Sequence, residues 1–140
     1  MGCLFCAIAE GREPAAIVHR DARFCAFLDA RPVFKGHVLV VPRGHVPDFA
    51  SLPADELGPF FSLVREVSNA VQSGLPAQGS FVAINEKVSQ SQPHLHAHVV
   101  PRTKGDGLRG FFWPRTKYES VAERDGYASR IAAALGPVNT

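Results

Sequence analysis

Residues 93–102 read PHLHAHVVPR, so His94, His96 and His98 stand at every second position with Leu95, Ala97 and Val99 between and after them. No other stretch constrains the fold as tightly. In an extended strand successive side chains point to opposite faces, which puts the three imidazoles on one face and the apolar residues on the other. Neighbours on one face are about 6.5–7 Å apart. The segment therefore predicts a strand anchored to a core by Leu95, Ala97 and Val99 and carrying a row of imidazoles on a rigid backbone.

Four readings of such a row compete: solvent-facing coincidence, rings gathered on a zinc ion, buried histidines satisfied by hydrogen bonds, and a catalytic row. Imidazole titrates near neutral pH, so one ring can act as a neutral nucleophile beside a cationic donor.

The rest of the chain supplies a scaffold. Residues 3–10 suit a short helix ended by Gly11. Residues 15–20 and 23–29 read as strands joined by a tight turn at Asp21-Ala22. Phe24, Ala26 and Leu28 share one face of the second strand, and Cys25 and Phe27 the other. Residues 37–42 are apolar enough for a strand covered on both faces, stopped by Pro42. Residues 53–73 keep helical apolar spacing, with Asp55 and Glu56 at the start, although Pro59 removes a backbone donor and suggests a restart there. Residues 80–85 and 95–101 are further strands, 103–117 are irregular, and about 118–135 are helical. This order predicts an α+β fold: an antiparallel sheet of about five strands, one long helix, and shorter N- and C-terminal helices.

With 140 residues, one domain is expected over 1–140, with an irregular tail and a helix from about 103. A net charge of +2 without a long basic run does not argue for a nucleic-acid partner. No apolar stretch approaches membrane-spanning length, and the N-terminus does not read as a signal peptide. Three cysteines in such a chain fit a reducing cytoplasm better than a disulfide framework.

HLHAHVV resembles the His-φ-His-φ-His-φ-φ signature of the histidine triad (HIT) family, where φ is apolar. CLFCAIAEG, FLDARPVFKGHVLVVPRGH, FVAIN and SQSQPHLHAHVVPR resemble its segments in the same order, over residues 3–102. The resemblance implies the HIT-like fold, a homodimer joined sheet to sheet, and cleavage of nucleoside 5′-phosphate conjugates at the α-phosphorus. It implies His96 as nucleophile, forming a nucleotidyl-histidine intermediate that water hydrolyses. His98 would donate to the phosphoryl oxygens, Ser91 would contact the leaving group or a phosphate oxygen, and Gln90 would lie near the phosphate. Asn85 would bind ribose or phosphate, and Asp29 would accept hydrogen bonds from the ribose hydroxyls. Asn85 and Asp29 also have a plain turn role available, and Ser91 and Gln90 also read as a polar loop before a strand. Phe5, Ile8, Val18 and Phe27 are candidates for a slot around the base, with core packing as the alternative.

Cys3-x-x-Cys6 by itself is ambiguous between redox, metal and neither. A structural zinc needs four soft or borderline ligands, and the family's bacterial members imply Cys3, Cys6, His45 and His94. That would leave His96 and His98 free of metal, and catalysis would need no cofactor. His19 and His37 read as structural histidines.

Many relatives have a glycine-rich loop where this chain has NEKVSQS, so phosphate handling near Glu86 and Lys87 is expected to differ. Purine nucleoside phosphoramidates are the leading substrate class. Dinucleoside polyphosphates, a non-catalytic nucleotide-binding or zinc-stabilised interaction module, and catalytic zinc on the histidine row are the alternatives.

Overall fold

Every residue of VLVVP is buried in a strand at the centre of the sheet, β3. The computed structural model describes residues 2–108, 115–135 and 137. They fall into two compact units, residues 1–106 and 107–140, each described by itself.

The first unit runs α1 (Leu4–Ala9), β1 (Ile17–Arg20), β2 (Phe24–Leu28), β3 (Val38–Pro42), a 3-10 turn (Phe49–Ser51), α2 (Ala54–Gly74), β4 (Gly79–Ala83) and β5 (Ala97–Arg102). The strands form one antiparallel sheet in the order β1-β2-β3-β5-β4. This is the α+β architecture expected from the sequence.

Period-two alternation divides the core between the two faces of the sheet. Phe24, Ala26, Val38 and Val40 meet the apolar stripe of α2, formed by Phe60, Val64, Val67 and Val71. Cys25, Phe27, Leu39 and Val41 meet Phe5, Ile8 and Ala9 of α1.

Helix α2 does not restart at Pro59; it is continuous from Ala54. Pro59 lies near the helix start and forfeits one backbone bond, a cost of about 3 kcal/mol in a helix interior. Each of the four buried stripe residues contributes about 1.5–3 kcal/mol by leaving water, so packing wins.

Strand β1 is shorter than expected. It is an exposed edge strand whose register slips between Ile17 and His19.

Strand β5 begins at Ala97, later than expected, because the Leu95 amide bonds the Val46 carbonyl at 2.7 Å instead of a strand neighbour. The alternation nevertheless runs through the lead-in. Leu95, Ala97 and Val99 join the α2-side core, while the rings of His94 and His96 lie against Phe5 on the α1 side.

In the second unit α3 spans Val121–Leu135 and has no buried residue. Val121, Tyr127, Ile131 and Leu135 are exposed. Arg115 and Lys117 lie in irregular chain before it, and Arg109 and the aromatic residues 111–113 fall outside the described residues. Among the described residues no helix is long and apolar enough to cross a membrane.

Candidate active site and metal centre

The α1 face of the sheet carries two adjoining clusters, and the histidine row belongs to both. Helix α1 has only six residues, and Cys3, at its N-cap, makes no side-chain cap bond. Cys3 and Cys6 are one turn apart and therefore share a face.

That face meets His94. The His94 Nδ1 lies 3.3 Å from Cys3 Sγ and 3.4 Å from Cys6 Sγ, and His45 Nδ1 lies 3.4 Å from Cys6 Sγ. The four ligand atoms are mutually within 4.8 Å. His94 Nε2–H donates to the Pro42 carbonyl at 2.8 Å, so the lone pair is on Nδ1, the atom facing the thiols. A tetrahedral zinc with Zn–S near 2.3 Å and Zn–N near 2.0 Å sets its sulfur and nitrogen ligands about 3.5 Å apart. The donor set, its tautomer and its spacing thus all fit zinc. Burial, with the Cys3 thiol alongside, pushes the Cys6 thiol up to about 11.

Two residues on, His96 does something different. Its Nδ1–H donates to the His94 carbonyl at 2.8 Å, which leaves Nε2 with a free lone pair. The ring is only 4 % exposed and packs edge-on against Phe5 with centroids 5.1 Å apart. It still borders a cleft of about 750 Å³, together with Asp29, Ser91 and His98. Phe5, Ile8 and Phe27 supply apolar wall, as expected of a base slot, whereas Val18 is exposed on β1 and does not border the cleft.

His98 sits within β5, opposite Leu39 and Ala83. Its state is set by His37, a residue that read from the sequence as merely structural. The Val33 amide donates to His37 Nδ1 at 3.1 Å, so the His37 proton is on Nε2. That proton is donated to His98 Nδ1 at 3.0 Å, which in turn places the proton of neutral His98 on Nε2. Burial pushes His98 down to about 4; His96 and His37 add to this, and Asp29 opposes it. His98 is therefore a neutral N–H donor at pH 7, not the cationic neighbour considered from the sequence. Burial likewise holds His37 below its ordinary range.

Asp29 forms a turn and also lines the cleft. Its Oδ1 accepts the Arg31 amide at 2.9 Å in a local turn, and the side chain also borders the cleft, with Oδ2 3.8 Å from His37 Nδ1. Asn85 is exposed and Gln90 half-buried, and neither borders the cleft. Gln90, expected beside phosphate, has both ends of its amide engaged: Oε1 accepts the Lys87 amide and Nε2 donates to the Pro47 carbonyl. His19 is an exposed histidine paired with Asp21.

Comparison with known proteins places this arrangement among relatives. A family model described as "HIT domain" matches residues 10–105. The adenosine 5′-monophosphoramidase hnt1 of Schizosaccharomyces pombe is 30% identical over 115 residues, 81% of this chain and 84% of the relative. The asymmetrical bis(5′-nucleosyl)-tetraphosphatase of the same organism is 35% identical over 92 residues, 64% of this chain and 50% of the relative. The crystal structure of a HIT-family member from Bacillus subtilis superposes with a TM-score of 0.85 at 30% identity, covering 99% of this chain and 100% of that one. A Zn-bound histidine triad family protein from Mycobacterium smegmatis gives a TM-score of 0.73 at 35% identity, covering 96% and 95%.

Proposed function

This chain belongs to the HIT-domain family, and from that premise we propose that it is a nucleotide hydrolase or nucleotidyl transferase acting at the α-phosphorus of nucleoside 5′-phosphate conjugates. The observation that carries the proposal is the His96 Nδ1–H bond to the His94 carbonyl. It holds the proton on Nδ1 and so leaves the lone pair of this cleft-lining imidazole on Nε2, not tied to a backbone carbonyl.

In the proposed reaction His96 Nε2 attacks the α-phosphorus and a P–N bond forms. The bond to the leaving group breaks, and an amine leaving group takes up a proton from solvent as it departs, which the water of the second step returns. Water then attacks the nucleotidyl-histidine, the P–N bond breaks, and nucleoside monophosphate is released with His96 restored. His98 Nε2–H stabilises charge on the phosphoryl oxygens. Ser91, on the cleft wall, hydrogen-bonds the leaving group or a phosphate oxygen. Asp29 Oδ2 accepts from the ribose hydroxyls, and Phe5, Ile8 and Phe27 receive the base. Asn85 and Gln90 are not assigned direct substrate contacts.

Purine nucleoside phosphoramidates are the favoured substrates, in keeping with the printed activity of the hnt1 relative. Dinucleoside polyphosphate cleavage by the same His96 route is the second reading, supported by the tetraphosphatase relative.

Zinc is proposed as a structural ion held by Cys3, Cys6, His45 and His94. When bound it would tie α1 to the histidine row, its four protein ligands leaving no position for substrate. Two thiols in that site suit a reducing, cytoplasmic setting. A homodimer completes the proposal, in keeping with the two-fold dimer being the commonest closed assembly of soluble proteins. Incubation with a panel of nucleoside phosphoramidates and dinucleoside polyphosphates, comparing wild type with His96→Ala, tests the activity. Turnover by wild type alone supports the reading, and equal turnover by both removes His96 from it.

A further inference from the structure

The loop after β4 contains no glycine, yet Lys87 and Ser89 have φ of 69° and 61°, a left-handed conformation that side-chain-bearing residues rarely adopt. Three side-chain arrangements hold it there. The Glu86 carboxylate accepts two consecutive amides, Phe49 N–H at 2.8 Å and Ala50 N–H at 2.9 Å. The Gln90 Oε1 accepts the Lys87 amide at 3.0 Å, closing the loop on itself. The Gln90 Nε2–H donates to the Pro47 carbonyl, so the loop is attached to residues 47–50 at both ends.

That strip is fixed in turn. Asp48 caps the 3-10 turn by accepting the Ser51 amide and hydroxyl. The Val46 carbonyl accepts the Leu95 amide, between His94 and His96. One short stretch, 46–50, is therefore bonded on one side to the histidine row and on the other to the loop. The residue that leaves the loop, directly after Gln90, is Ser91 on the cleft wall.

We infer that Glu86 is a positioning residue: by clamping the Phe49 and Ala50 amides it holds loop 86–91 so that Ser91 stands where the leaving group departs. In this chain a side-chain latch does the orienting that backbone flexibility near glycine would not provide. A carboxylate receiving two amides forms charge-assisted bonds, stronger than neutral ones. The inference rests on the proposed function for the part that concerns the leaving group.

The test uses the full chain, with Glu86→Ala and Glu86→Gln measured in two ways. The first is amide hydrogen exchange. Phe49, Ala50 and Lys87 should exchange about 10-fold faster in Glu86→Ala, and less so in Glu86→Gln, which keeps one good acceptor. The second is kcat and KM on two adenosine 5′-monophosphate conjugates, one with a poor alkylamine leaving group and one with a good nitrophenolate. Glu86→Ala should lower kcat about 10-fold on the alkylamine and less than about 3-fold on the nitrophenolate, with KM held within about 2-fold. Glu86→Gln should recover part of the alkylamine rate.

Unchanged exchange overturns the latch whatever the turnover. Faster exchange with equal loss on both leaving groups, or with a change in KM alone, leaves Glu86 a structural residue and overturns the positioning role. Faster exchange in a protein whose wild type turns over neither conjugate overturns the proposed function, and the catalytic half of this inference with it.

Discussion

His96 Nδ1 lies 2.8 Å from the carbonyl oxygen of His94, a bond between residues two apart on the same extended segment. The same residue that turns its ring toward two cysteines turns its backbone toward the neighbouring ring. Position 94 therefore faces two ways: its Nδ1 faces the thiols and its carbonyl sets the tautomer of His96.

The relay from Val33 through His37 to His98 makes a prediction about His37. Replacing it by Ala frees His98 Nδ1 to take the proton, so the N–H donor on Nε2 is no longer enforced. We expect kcat to fall roughly 10- to 100-fold, the scale seen when a supporting partner of an active-site histidine is removed. Affinity for nucleoside monophosphate should change little. Steady-state kinetics with isothermal titration calorimetry checks this, and an unchanged kcat would refute the relay.

The depressed His98 also makes stability depend on pH. Its folded value, about 4, lies below the ordinary 6.5, so between these values the unfolded chain binds more protons than the folded one. The contribution is full above about pH 6.5 and is lost as pH falls toward 4. The gap corresponds to about 3 kcal/mol as an upper figure. Urea unfolding at pH 7.5 and 4.5 should show His98→Asn losing about 2 kcal/mol less than wild type over that interval. Comparing the two proteins cancels acid effects they share, including metal release. His37, also shifted downward, adds to the slope with the same sign.

Metal removal separates a structural zinc from a catalytic one. Wild type should carry about one zinc per chain, and Cys6→Ser much less. Chelation should lower the melting temperature by several degrees, since binding to the folded state alone stabilises it. The chelated protein, while still folded, should keep most of its turnover. Activity that vanishes at once with the fold intact would place the metal on the catalytic row instead.

Asp29 predicts sugar selectivity. Wild type should prefer ribonucleotide over 2′-deoxyribonucleotide conjugates by about 10-fold or more, because a site built to accept a hydroxyl rejects the analogue lacking it. Asp29→Ala should bring the two within about 3-fold of each other, mainly through a higher KM for the ribonucleotide. Equal discrimination before and after the substitution would remove Asp29 from ribose recognition.

The scaffold was legible in the sequence because its signals are periodic. Phe60, Val64, Val67 and Val71 announce α2, and the full burial of β3 follows from five apolar residues in a row. Alternation at 94–99 gave the faces correctly even where the strand has not begun. The start of β5 was not legible, since it depends on Leu95 bonding Val46 across a distant loop.

The set Cys3, Cys6, His45 and His94 was legible only through the family resemblance, since residue type alone does not single out two of six histidines; in the structure the four converge from distant parts of the first unit. His37 is buried and hydrogen-bonded, as a structural histidine should be, but its bond to His98 was not legible because it depends on the antiparallel register of β3 on β5 and on the Val33 amide. Gln90 was placed near the phosphate by the family resemblance alone. Its use as a loop tie becomes visible only with Pro47 beside it.

The most direct test is to catch the intermediate. Wild-type protein is mixed with a stoichiometric purine nucleoside phosphoramidate, quenched within milliseconds into alkaline denaturant, and read by intact and peptide mass spectrometry. The account predicts a transient increase of one nucleoside monophosphate residue, carried by the peptide at His96 and absent from His96→Ala. Product release with no adduct at any time, or an adduct on another residue, would contradict it.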